Sequence, residues 1–166
     1  MNRLTAKTKK LTLLTAFTQS FSVFIFFMLT SCGQPQYPLL DGDSITIPNH
    51  KGWVLVNFWA PWCTPCIEEI PELNRLALEL PEPLVAVVGV YFDPISSAKL
   101  KSQVKKFNIH FKIISIDSPT LPVPSPNMLP ANYLVSPAGH IHGPLLGPQT
   151  QKSILEAIST YKNSKL

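Results

Sequence analysis

Cysteine is scarce in this chain of 166 residues, which holds three: Cys32, Cys63 and Cys66. A structural zinc wants four ligands, and a pair with one distant cysteine does not supply them. Copper(I) wants more sulfur still, yet there is no Cys-x-x-x-Cys and no Met or His cluster beside the pair. His140 and His142 alternate and would share one strand face, but two histidines make a poor metal site, so no metal is expected and exposed hairpin histidines are the reading. Net charge is scarce as well. The formal value is +4, but Arg3, Lys7, Lys9 and Lys10 all fall in the first ten residues, and beyond them ten Lys and Arg face ten Asp and Glu. A balanced body gives no electrostatic footprint for nucleic acid. No internal repeat is visible, and the length is one domain's worth, enough to bury a core without disulfide staples.

A long apolar run is also missing. The N-terminal apolar core, Phe21-Ser-Val-Phe-Ile-Phe-Phe-Met-Leu29, is short for a membrane span and is diluted upstream by Thr12, Thr15, Thr18 and Gln19. Preceded by a basic stretch and closed by Leu29-Thr-Ser-Cys32, it reads as a targeting segment whose end resembles a bacterial lipobox. That implies a signal peptide over 1–31, cleavage before Cys32, and lipid on the Cys32 thiol and new N-terminus. An uncleaved signal anchor is the alternative, and both place the domain outside the cytoplasm. A free thiol at Cys32 in an oxidising space is the least attractive option. Residues 32–43, rich in Gly, Gln, Pro and Asp, read as the lipidated cysteine and a tether, and 44–166 as the folded domain.

The chain is organised around Trp53-Val-Leu-Val-Asn-Phe-Trp-Ala-Pro-Trp-Cys-Thr-Pro-Cys66. Val54 to Trp59 reads as a buried strand that turns through Ala60 and Pro61 into a helix beginning near Cys63. A thiol at a helix N-terminus faces unpaired N–H groups and the positive end of the macrodipole, which favour thiolate, so Cys63 is the candidate nucleophile. Cys66 lies on the same helix face, placed to attack a mixed disulfide formed at Cys63. A purely structural disulfide is a weak alternative, because so small a loop constrains the unfolded chain little.

Val56-Asn-Phe-Trp-Ala-Pro-Trp-Cys-Thr-Pro-Cys66 resembles the active-site segment of the thioredoxin superfamily, and more narrowly its extracytoplasmic TlpA/ResA-like thiol-disulfide oxidoreductases. The resemblance implies a single α/β domain with a thioredoxin-like three-layer fold, its central mixed β-sheet flanked by helices. It implies exchange of the Cys63/Cys66 dithiol with protein thiols and disulfides, without a bound cofactor. A proline in cis completes such a site, and the matching position is Pro130, with Leu129 offering its backbone and Trp62 at the substrate-binding surface. Thr64 and Pro65, between the cysteines, are the redox-tuning positions. Asn57 departs from cytosolic thioredoxins, which carry a buried Asp there; an amide cannot titrate, so the proton of Cys66 goes elsewhere. In ResA-like members a Glu three residues after the second cysteine is implicated, and Glu69 matches it.

The resemblance further implies a reductant of client disulfides, for example in cytochrome c maturation, recharged by a membrane electron donor of the DsbD or CcdA type. An oxidant or isomerase is the alternative within the same chemistry, and a copper-handling lipoprotein the alternative outside it. If the organism has an outer membrane, Gly33 after the lipid cysteine weakly favours placement there.

The remaining pattern is strands alternating with helices. Ile67, Ile70, Leu73, Leu76, Ala77 and Leu80 recur at helical spacing, with Pro71 inside. Leu84–Phe92 is an apolar run of the kind buried on both faces of a parallel sheet. A second helix opens at Ser96 or Ser97 and buries Leu100, Val104 and Phe107. Lys112–Asp117 reads as a strand. Ala131–Val135 and a strand around 140–146 form a hairpin through Ser-Pro-Ala-Gly139. A last helix turns Ile154, Leu155, Ile158 and Tyr161 inward. Ser118-Pro-Thr-Leu-Pro-Val-Pro-Ser-Pro-Asn127 cannot be the short helix many relatives have there, so it is expected to be an extended segment beside Cys63 and Pro130 and a candidate specificity element.

Overall fold

Strand β3 (Trp53–Trp59) is buried at all seven positions, and β4 (Val85–Tyr91) pairs with it in parallel over its whole length, Trp53 opposite Val85 and Trp59 opposite Tyr91. Both are the continuous apolar runs that a sheet covered on two faces demands. The molecule is seen in a computed structural model that describes residues 35–48, 50–80 and 84–164, all within one unit spanning Gln34–Leu166. The expected signal peptide and the expected lipidation site at Cys32 lie outside the described residues.

Helix α1 (Thr64–Glu79) joins β3 to β4 and runs unbroken past Pro71. Helix α2 (Ser97–Lys106), capped by Ser96, leads to the short β5 (Lys112–Ile113), which pairs in parallel with β4. Strands β6 (Ala131–Val135) and β7 (Ile141–Leu146) return as an antiparallel hairpin, and β6 docks antiparallel on β3. The turn between them needs Gly139 at φ +84, a backbone region that costs glycine nothing. Helix α3 (Gln151–Asn163), with a capping box at Thr150 and Ser153, closes the chain. The sheet order is β5-β4-β3-β6-β7, the expected central mixed sheet.

The layers divide by strand alternation. Trp53, Leu55, Trp59, Val85 and Val87 share a core with Ile70, Leu73 and Leu76 of α1, Leu100 of α2, and Ile154 and Ile158 of α3. Val54, Val56, Phe58, Ala86 and Val88 point the other way and meet Tyr37, Leu39, Ile45, Ile47 and Val123. All three helices therefore contribute to the first core, while the second is closed by an N-terminal hairpin and the proline-rich loop. That hairpin pairs β1 (Gln36–Pro38) with β2 (Ser44–Thr46).

The hairpin moves one boundary. A tether through residue 43 was the expectation, but Tyr37 and Leu39 are each 4% exposed, and Leu39 bridges Ile114. Leu40 N–H donates to the Ile113 carbonyl at 2.8 Å and Ser115 N–H to that of Pro38 at 2.9 Å. The folded body thus begins upstream of Ser44. The reason is that Tyr37 and Leu39, with Ile45 and Ile47, cover part of a sheet face that would otherwise be bare.

Smaller differences have similar causes. Leu155 is 38% exposed, off the stripe of Ile154, Ala157, Ile158 and Tyr161 that α3 turns to the core. His142 is half-buried, stacks on Tyr161 with ring centroids 4.1 Å apart and meets Trp53 at a tilt with centroids 5.6 Å apart, so it packs α3 to the sheet instead of standing in solvent; His140 is exposed. The strand expected over 112–117 stops at Ile113, where the chain leaves to join the hairpin.

Candidate functional site

Cys63 is the N-cap of α1, with extended backbone at φ −88 and ψ 92, and its Sγ accepts from the Cys66 N–H at 3.2 Å. The helix forms here because Pro61 and Pro65 flank the turn and Pro65 lies in the first helical turn, where a missing N–H leaves nothing unpaired. Cys63 and Cys66 are joined as a disulfide. Cys66 is fully buried and Cys63 nearly so, at 0% and 5% exposure. Thr64 is exposed and Pro65 half-buried on the helix start between them.

Trp62, the residue before Cys63, is 63% exposed. Its indole Nε1 donates to Asp93 Oδ2 at 2.6 Å and its ring meets Phe92 edge-on at 6.3 Å. The loop after β4 thereby holds the indole in place beside the disulfide.

The Leu129–Pro130 peptide bond is cis, as are two other X-Pro bonds, Ile47–Pro48 and Gly143–Pro144. Strand β6 enters opposite Phe58, so Pro130 stands at the end of β3 from which the chain turns toward Cys63. The Pro130 carbonyl accepts from Gly147 N–H at 3.1 Å, while Leu129 packs against the core that contains both cysteines. The sequence signals 63, 66 and 130 thus converge at one end of the central strands β3 and β6.

Glu69 is 1% exposed on α1, one turn beyond Cys66. Its Oε1 accepts from Asn57 Nδ2 at 2.5 Å. Its Oε2 accepts from Asn132 Nδ2 at 3.2 Å and from the backbone N–H of Gln149 at 2.9 Å. Burial raises the carboxyl from 4.5 to about 7, and the three donors pull the other way, Gln149 first, then Asn57 and Asn132. A buried carboxyl poised near neutrality, one helical turn from a cysteine, can take or give a proton in the working pH range.

Two contributors carried no sequence signal of their own. Asn132 sits in an apolar strand and reads alone as a polar interruption, yet the β3–β6 register sets it directly opposite Asn57. Gln149 arrives from the loop before α3 by its backbone, which no side chain announces. Asp93 was likewise silent.

The AhpC/TSA family matches residues 28–142 of the chain. Thioredoxin-like protein YneN of Bacillus subtilis is 34% identical over 121 residues, a match covering 69% of this chain and 69% of that protein. Thiol-disulfide oxidoreductase ResA of Bacillus cereus is 30% identical over 118 residues, covering 69% of this chain and 67% of the relative. Among solved structures, StoA from Bacillus subtilis superposes with a TM-score of 0.59 at 22% identity, covering 73% of this chain and 92% of StoA, which speaks for the fold. With the Cys63–Cys66 disulfide at the start of α1, these likenesses identify the chain as a member of the AhpC/TSA family and a thiol-disulfide oxidoreductase of the thioredoxin superfamily.

Proposed function

We propose that this protein is an extracytoplasmic reductant of protein disulfides, tethered to the membrane by lipid on Cys32 and recharged by a membrane dithiol donor of the DsbD or CcdA type. The observation that carries the reading is the N-capping position of Cys63 with Cys66 and the buried Glu69 aligned behind it. In the reduced enzyme the Cys63 thiolate attacks a client disulfide, forming a Cys63–client bond and releasing one client thiolate. Glu69 then takes the proton of the Cys66 thiol, and the Cys66 thiolate attacks Cys63 Sγ. The Cys63–Cys66 bond forms, the Cys63–client bond breaks, and the second client sulfur leaves as a thiolate that takes the proton held by Glu69. Two electrons pass to the client, and the first client thiolate takes its proton from water, which had received that of Cys63. Apocytochrome c, whose cysteine pair must be reduced, fits this chemistry as a client.

Client binding falls to Trp62, Leu129 and Pro130, where an extended segment adds hydrogen bonds to backbone that side chains do not specify. Selectivity comes from the proline-rich loop. Together with the end of the sheet it lines an open cleft of about 570 Å³ bordered by Phe58, Val90, Phe92, Asp93, Leu121 and Val123. Its walls include the same Phe92 and Asp93 that hold Trp62, which supports a role for the cleft in client binding beside Cys63.

The reduction potential of the full chain in detergent tests the direction. A value near about −270 mV fits a reductant, and one near about −120 mV overturns that direction in favour of an oxidant. Cys63→Ser should abolish insulin reduction with the fold intact, and an active variant would remove Cys63 as nucleophile. Cys32→Ala should release the protein from membranes; retention would point to a signal anchor.

A further inference from the structure

We propose that Asn132 is a positioning residue of the exchange reaction: paired with Asn57 across β3 and β6, its amide holds Glu69 as the carboxylate that accepts the Cys66 proton. The inference rests on the reading of Glu69 given above. Its ground is the donor pattern. Asn57 Nδ2 donates both to Glu69 Oε1 and to Asn132 Oδ1, the latter at 3.0 Å, and Asn132 Nδ2 donates to Glu69 Oε2. Each amide is locked by the other. Turning Asn132 over would set its Nδ2 against Asn57 Nδ2, and turning both over would set Asn132 Oδ1 against Glu69 Oε2. The ring of contacts is therefore consistent with an acceptor at both carboxylate oxygens, which the ionised form provides equally and the acid only weakly at its hydroxyl oxygen.

Both amides are buried, Asn57 at 1% and Asn132 at 0% exposure, and Asn57 Oδ1 has no hydrogen-bond partner among the described residues. An unpartnered buried acceptor carries a desolvation cost. Its retention fits an amide oriented by what its Nδ2 must do. The surroundings of Glu69 otherwise hold little charge. On α1 the titratable neighbours are Cys66 and Glu72; Glu72 Oε2 accepts from the Gln151 N–H at 3.2 Å and its Oε1 pairs with Arg75 at 3.0 Å. Strands β3 and β6 present the two amides. From α3 come Lys152 and Glu156, exposed and paired with each other at 3.8 Å. The amide pair and the Gln149 N–H are thus the groups opposing desolvation of the carboxylate.

The test is the pH profile of insulin reduction by the full chain in detergent, wild type against Asn132→Leu, Asn132→Thr and Glu69→Gln, with Glu69 itself titrated by infrared carbonyl absorption. Asn132→Leu removes the donor at similar volume. The midpoint of the profile and of the Glu69 titration should both rise by about one pH unit, the effect of one lost hydrogen bond to a charge. Asn132→Thr keeps a donating hydroxyl and should rise less, and it carries the test if the leucine variant does not fold. A shifted Glu69→Gln profile with both Asn132 variants superimposing on wild type overturns the role of Asn132 and leaves that of Glu69. A Glu69→Gln profile identical to wild type overturns the Glu69 reading itself.

Discussion

The two faces of the central sheet are built on different terms. Beneath the helices lie Asn57, Glu69 and Asn132, a buried polar cluster, with both cysteines at the same helix start. On the opposite face the core is apolar throughout and is sealed by a two-stranded hairpin and a loop that proline keeps extended. Helix α1 supplies a fixed backbone for the buried carboxylate, and β3, β6 and the loop before α3 supply its donors. The proline-rich loop supplies what a helix cannot, a wall beside an open cleft that tolerates change in sequence.

That contrast makes graded predictions. Leu73 is fully buried under α1, and Leu73→Ala should cost about 2–5 kcal/mol in denaturant unfolding because the helices around it cannot collapse into the gap. A loss below about 1 kcal/mol would mean that the helical face is no more rigid than the other.

Glu69 predicts a pH dependence confined to its own face. The folded state keeps the proton to about pH 7, whereas the unfolded chain releases it near 4.5. Between those values the folded state binds more protons, so stability falls as pH rises, by up to about 3 kcal/mol across the window. Urea titrations at pH 4.5 and 8 should show this slope in wild type and a flatter one in Glu69→Gln; equal slopes would mean that the carboxyl is not its source.

Gly89 sits opposite Asn57 in β4, and a Cβ there would lie 2.6 Å from Ile113 Cδ1 and 2.9 Å from Phe111 Cε2. Gly89→Ala should therefore cost about 1–3 kcal/mol by overpacking, measured as a fall in Tm. An unchanged Tm would show that Phe111 gives way freely.

The smallest effect belongs to the loop. Val123 is 6% exposed, but the segment around it has no regular structure to hold a cavity open. Val123→Ala should cost only about 1 kcal/mol while altering the ratio of rates on two unlike client peptides. A stability loss equal to that of Leu73→Ala would erase the distinction between the faces.

The strand, the helix start and the cysteine pair were legible in the sequence because each depends on neighbours within a few residues. Proline placement, apolar runs and N-capping act over one or two turns of chain. The first strand of the hairpin, Gln36–Pro38, was not legible, since Tyr37 and Leu39 lie in a polar, Pro-rich stretch and acquire meaning only against Ile113 and Ile114. His142 was misread for the same reason: its stacking partner Tyr161 comes from the last helix.

Sequence by itself determined that Cys63 and Cys66 open a helix at the end of a buried strand, because that arrangement follows from local backbone preference. Tertiary structure alone decided what surrounds Glu69. Asn57 lies 12 residues away, Asn132 63 and Gln149 80. Only strand register and the closing loop bring them within hydrogen-bond reach, and a carboxyl's proton affinity is set by what it touches, not by what precedes it in the chain.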